Sequence, residues 1–216
     1  MDNFRKKSQQ HWKKMKGWQK RYRRGMSSRY QAMKRLGIEK IIPLLSSDDV
    51  IADVGCADGW FSALLAPYVK SLEGFDISPN LIKEARKSTI KNASFSVCDL
   101  IDEELPKASY DHVVCMGVFT CIQSDDDIKN ILNKIKASFK SPGYLILKDS
   151  VWLKKSSYVW ETEKKAMKYR TLRDYESIFE EVGFKIHDKG WLGKANKYGT
   201  ARSGFFICKQ SSYNKV

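Results

Sequence analysis

Apolar and polar positions along the chain fall into blocks, short apolar runs trading places with longer segments of helical spacing. Between residues 29 and 45, Met33, Leu36, Ile41, Ile42 and Leu45 predict one or two helices, broken near Gly37 and ended by Pro43. From residue 50 the blocks alternate regularly. Strands are predicted at 50–54, 71–77, 93–99, 110–118 and 143–149. Helices are predicted at 59–69, at 78–89 with Ser78 as N-cap, and at 125–139, which opens on three aspartates as the helix dipole favours. An irregular stretch over 150–170 precedes a helix at 172–183 closed by Gly183, then strands at 184–190 and 203–210. Apolar strands alternating with helices predict an α/β, doubly wound, mostly parallel seven-stranded sheet covered on both faces. Two last strands with no helix between them predict an antiparallel C-terminal edge. The expected division is a basic aromatic arm and helix at 1–45, one domain at 46–210 with an insertion at 150–170, and a tail at 211–216.

Composition adds one globular core: 216 residues, 42% apolar and 12% aromatic. No run approaches the roughly 18 apolar residues of a membrane span, and no apolar leader opens the chain, so a cytoplasmic protein is expected. Five cysteines are scattered, with no metal-ligand spacing; free thiols and no metal are expected. The net charge of +14 is concentrated at one end. Residues 1–35 hold 13 Lys/Arg and one acid, leaving 26 basic and 24 acidic residues in 36–216. This arm interleaves its cations with Trp12, Trp18, Tyr22 and Tyr30, a mixture suited to phosphates, anionic lipid surfaces or stacked bases. The plainer reading is a solubilising tail whose aromatics cover part of the core.

Chemistry concentrates in "IADVGCADGWFSALL" (51–65), a glycine-bearing turn between a buried strand and a helix. In parallel sheets such turns bind ligands at the carboxyl ends of the strands. The dinucleotide fingerprint G-x-G-x-x-G is absent: the loop runs Gly55-x-Ala57-x-Gly59, with Asp53 before it and Asp58 inside it. Two carboxylates repel a pyrophosphate and favour a ligand with ammonium and sulfonium cations.

"DVGCADGWFS" resembles the first motif of class I S-adenosylmethionine-dependent methyltransferases (EC 2.1.1.-), with Ala57 in place of a glycine. Other landmarks of that family follow in order: Asp76 in "GFDISPNLIKEAR", Asp99 in "VCDL", "YDHVVCMGVFTCI", "LNKIKASFKSPGYLILKD" and "YRTLRDYESIFEEVGFKI". The resemblance spans about 48–210 and implies a Rossmann-like fold with S-adenosylmethionine as cofactor. It implies that Asp53, Gly55, Cys56 and Gly59 form the cofactor loop, that Asp76, followed by Ile77, holds the ribose hydroxyls, that Asp99 and Leu100 meet adenine, and that Met116 and Gly117 lie beside the methionine moiety. Many relatives carry a histidine where this chain has Cys121, so no base is carried over there.

Methyl transfer from a sulfonium is an in-line displacement, so catalysis can rest largely on holding the acceptor atom opposite the methyl group. Of the histidines, His11 lies in the arm, and His112 and His187 are expected to be structural. Asp149 ends the fifth strand, and its "KDS" resembles the "KDN" of protein N-terminal methyltransferases; it is the candidate catalytic residue, or else a cap. Trp152, Tyr158, Trp160, Tyr169, Arg170 and Arg202 are the candidate acceptor lining, or else aromatics that seal a sheet edge. A cationic, aromatic chamber would suit an anionic, glycan-like or small-molecule acceptor, with O-methylation favoured. The arm is expected to close over the cofactor and to contribute acceptor binding; the alternatives are an RNA or protein methyltransferase using that basic arm, and a non-catalytic cofactor-binding protein. The fourth strand ends in "MGVF", without the N/D-P-P-Y/F pattern of exocyclic amino methylation.

Overall fold

In the computed structural model, residues 2–15, 28–163 and 166–210 are described; Trp18, Tyr22 and the tail at 211–216 lie outside them. The strands are β1 (Val50–Val54), β2 (Ser71–Asp76), β3 (Ala93–Val97), β4 (Tyr110–Met116), β5 (Phe139–Trp152), β6 (Tyr158–Glu161), β7 (Ala166–Thr171), β8 (Phe184–Leu192) and β9 (Ala201–Gln210). The helices are α1 (Asp2–Lys13), α2 (Ser28–Leu36), α3 (Trp60–Leu65), α4 (Pro79–Ala85), α5 (Asp125–Ser138) and α6 (Leu172–Val182).

Strands β3, β2, β1, β4 and β5 lie side by side and parallel, and β9 then β8 continue the sheet antiparallel beyond β5. These are the seven expected strands, with the expected edge. Alternation along the central strands splits the core into two layers. Val113, Cys115, Leu145 and Leu147 face α5 and α6, while Val114 and Ile146 pack with Leu36 of α2, Phe61 of α3 and Ile82 of α4. Helix ends follow local sequence. The Ser78 hydroxyl accepts from Leu81 N at 3.3 Å, Thr171 and Asp174 form a capping box, and Gly183 ends α6 at φ 82°.

The helix expected over 78–89 stops at Ala85 and the strand expected over 143–149 extends from Phe139 to Trp152; two further elements differ from expectation. The stretch read as irregular holds the hairpin β6–β7, which brings the sheet to nine strands; β7 joins β5 in parallel through Val151–Arg170 and Trp152–Thr171. The helix expected over 59–69 stops at Leu65, where Pro67 shapes a single 3₁₀ turn, Ala66–Tyr68. Because β5 runs past the end of β4, the hairpin stands beyond the carboxyl ends of the parallel strands. That is where doubly wound sheets bind ligands.

Candidate active site

The loop after β1 is shaped by close packing. Gly55, Ala57 and Gly59 all have positive φ (73°, 52° and 76°), so the chain turns sharply from β1 into α3. A Cβ on Gly55 would sit 2.2 Å from Val118 Cγ2, so the loops after β1 and β4 touch with no room for a larger residue. Gly55 N and Cys56 N both donate to Phe75 O, at 2.7 and 3.0 Å, fixing the loop to the end of β2.

Three carboxylates line this end of the cavity. Asp53 is buried; its Oδ2 accepts from Ser62 Oγ at 2.6 Å, while Oδ1 has no hydrogen-bond partner. Burial pushes its carboxyl up to about 7, with Ser62 pulling it down and the charge of Asp76 pushing it further up. Asp76 accepts from Ala57 N at 3.0 Å and Ser78 N at 2.9 Å; burial raises it, against those two bonds. Asp99 accepts from Ile101 N at 3.3 Å and from Gln9 Nε2 at 2.9 Å, and pairs with Lys13 at 3.1 Å.

Gln9 and Lys13 belong to α1, which roofs the cavity. Ser8 Oγ donates to Cys121 O at 2.8 Å, Lys7 pairs with Glu161 of β6 at 2.7 Å, and Arg5 pairs with Asp102 and Asp127. Arg5, Ser8 and Trp12 thereby face the chamber. A second aromatic edge comes from Tyr30 of α2, 4.7 Å from Trp60 of α3.

The hairpin supplies the far wall. In register, Tyr158 opposes Tyr169 and Trp160 opposes Met167, so these four share one face, and that face lines the chamber. Trp152 stacks on Tyr158 at 4.9 Å and lies 5.9 Å from Tyr169. The chamber measures about 1220 Å³, above the roughly 300–1,000 Å³ usual for one small ligand, so it has room for a second reactant.

Among the described residues, Asp53, Gly55, Cys56, Asp76, Ile77, Asp99, Leu100, Met116, Gly117, Asp149, Trp152, Tyr158, Trp160 and Tyr169 all line this single chamber. Gly59 sits just behind it as the left-handed residue that starts α3. Two expected lining residues do not reach it. Arg170 is fully buried, bonded through Nε to Asp125 at 2.7 Å and through Nη1 to Phe119 O at 3.0 Å. Arg202 donates to Gly193 O at 2.8 Å and lies over Trp191. Both corrections have one cause: neighbours on a strand face opposite ways, so Tyr169 and Ala201 point in and Arg170 and Arg202 cannot. The cationic chamber expected from sequence is therefore not what the described residues build. Its charged lining is one arginine, Arg5, against Asp53, Asp58, Asp76, Asp99, Asp127 and Asp149.

Asp149 is almost fully buried. Its oxygens accept from Thr120 N at 2.8 Å, from the Thr120 hydroxyl and from Ser150 N at 2.7 Å, so it caps the short turn Phe119–Cys121 on the chamber floor. His112 accepts from Tyr144 N at 3.1 Å at the opposite end of β4, and His187 packs on Tyr144; neither lines the chamber. The arm and the aromatics of 150–170 were expected at the chamber; what sequence reading missed is the helix α1 itself and the hairpin that turns those aromatics onto one face. The signal for the second was present, in the alternating aromatics of "YVWE" and "MKYR".

A methyltransferase domain model matches residues 22–189. The chain belongs to that family. It is an S-adenosylmethionine-dependent methyltransferase with a class I, Rossmann-like fold. No curated protein matches it in sequence. Among solved structures, a SAM-dependent methyltransferase from Leishmania major is 14% identical, with 95% of this chain and 83% of that one covered at a TM-score of 0.76. One from Methanosarcina mazei is 18% identical, with 80% and 97% covered at 0.68. The [4+2]-cyclase SpnF is 14% identical, with 90% and 86% covered at 0.71. At such identities the likeness is one of fold, and SpnF illustrates how far chemistry diverges on it. The residues present fit the methyl donor. Asp53 Oδ1 is a buried acceptor awaiting a donor, Asp76 is held in place by two amides, and the glycine turn lets backbone approach a ligand closely.

Proposed function

We propose that this methyltransferase acts on a small-molecule acceptor taken into the aromatic chamber between α1 and the β6–β7 hairpin. The observation that carries the reading is the shape of the site: one cavity of about 1220 Å³ joins the cofactor loop to the hairpin face. A bound S-adenosylmethionine supplies an electrophilic methyl group on a sulfonium. Asp53, Asp76 and Asp99 hold that cofactor, Trp152, Tyr158 and Tyr169 stack the acceptor, and α1 covers both. Asp149 acts as a positioning residue that fixes Thr120 and the chamber floor, since its oxygens already serve three donors.

The preference for an anionic acceptor drew on a cationic chamber that included Arg170 and Arg202, which face elsewhere; the described lining favours a neutral or cationic molecule instead. Small acceptors are favoured over RNA because Arg5, Lys7 and Lys13 of α1 are engaged with Asp99, Asp102, Asp127 and Glu161. No helix among the described residues is long and apolar enough to cross a membrane, in keeping with a cytoplasmic enzyme whose domain spans 46–210. Incubation with methyl-labelled S-adenosylmethionine and fractionated metabolites, glycans, RNA and protein tests the reading. Label is expected in the metabolite fraction; label confined to RNA, glycan or protein overturns it.

A further inference from the structure

We infer that the acceptor is an arylalkyl amine, bound as its ammonium and methylated on nitrogen. The inference rests on the chamber reading above and adds the acceptor's charge and the atom methylated.

Charge is the first observation. Among the described residues the lining carries six aspartates and a single cation, Arg5; Lys13 offsets Asp99, Arg5 offsets Asp127, and burial raises Asp53 and Asp76, so the field is weaker than the count of acids but acidic in sign. S-adenosylmethionine brings one excess positive charge and, by favouring ionised Asp53, one negative charge with it. Among the described lining residues an anionic acceptor meets only Arg5, already paired with Asp102 and Asp127, whereas an ammonium is drawn in. The hairpin could have reversed this, since β7 carries Lys168 and Arg170. Strand alternation turns both to the other side, where both pair with Asp125, at 2.7 Å each.

The second observation is the aromatic wall. Trp152, Tyr158, Trp160 and Tyr169 come from three strands onto one side of the chamber. Their π faces attract cations and offer an aromatic body a stacking partner. An arylalkyl amine satisfies both features at once, ring on the wall and ammonium in the acidic field.

The step balances without a further reactant. The ammonium loses a proton to water; the freed lone pair forms the N–C bond as the C–S bond breaks, and its electron pair stays on sulfur as a neutral thioether. The product is a methylated ammonium. A negative field raises the amine's pKa, so turnover rises with pH through and above neutrality.

Binding of a charge-matched series to the full chain in the presence of S-adenosylhomocysteine tests the inference: phenethylamine, 2-phenylethanol and phenyl phosphate, by calorimetry. Phenethylamine is expected to bind at least tenfold more tightly than either of the others. Tyr169→Leu should weaken it about tenfold with S-adenosylhomocysteine affinity unchanged. Equal binding, a preference for the phosphate, or binding of none of the three overturns the inference. If the alcohol binds best and Trp152→Leu removes it, the amine is wrong and the chamber reading stands. If no probe binds and RNA or glycan takes label, both fall.

Discussion

On the chamber floor, Ala57 N reaches Asp76 across 19 residues, and the bonds are between backbone groups and short acids at the ends of adjacent parallel strands. In the roof, Lys7 reaches Glu161 across 154 residues, and the bonds are ion pairs between long side chains at the surface. The floor is partly buried and sterically determined, down to a glycine whose Cβ would collide with Val118. The roof is polar, and salt screens it. The methyl donor's seat is thus held by short bonds from backbone amides, and the cover over it mainly by ion pairs that salt weakens.

The floor should break most sharply. Gly55→Ala places a methyl group 2.2 Å from Val118 Cγ2 at φ 73°, so the loop must move away from β4. With a strain on the order of 3 kcal/mol, S-adenosylmethionine affinity should fall about 100-fold by calorimetry. An unchanged Kd would mean the cofactor does not use this loop.

A second effect is pH-dependent. Free Asp53 titrates near 7 because it is buried, and a bound cation favours its ionised form. Binding must therefore expel a proton below pH 7. Affinity should be nearly flat above that value and fall up to about tenfold per unit below it, until the pKa of the bound form is reached. Asp53→Asn should flatten the profile; an unaltered slope would assign the titration elsewhere.

Sharpening the roof side of the contrast requires salt. Removing residues 1–15 deletes the pairs to Asp99, Asp102, Asp127 and Glu161, and should raise acceptor KM several-fold with little change in Tm. In the full chain, adding about 0.5 M salt should raise KM similarly, since the Debye length then falls well below 8 Å. A salt response of equal size in the truncated chain would remove α1 from the explanation. The smallest effect is expected at Arg202. Arg202→Ala should leave kcat and KM within about twofold, and a large rise in KM would return it to the acceptor site.

Much of this was legible from local pattern. The strand VIADV is observed at the expected residues, Ser78 and Gly183 cap the helices they were expected to cap, and Asp53, Gly55, Asp76 and Asp99 meet in one chamber. These features depend on short-range forces: strand alternation, caps, and turns that only certain residues can make. Tyr169 and Arg170 show where such reading stops. Both looked like lining, being polar or aromatic in one insertion, and without the strand assignment nothing separated them. Once β7 forms, period-two geometry sends one inward and buries the other.

The sequence by itself determined the order of the seven core strands and the helices between them, and the identity of the acids at their ends, because each is decided by neighbours within a few residues. Among the described residues, tertiary structure alone decided the sign of charge in the chamber. The chain is +14 overall, yet Arg5, Lys7 and Lys13 of α1 pair with Asp99, Asp102, Asp127 and Glu161, and Asp125 holds Lys168 and Arg170 on the far face of the hairpin. Net charge sums over residues wherever they lie, whereas the field a ligand meets depends on which side chains the fold turns inward and which it has already paired.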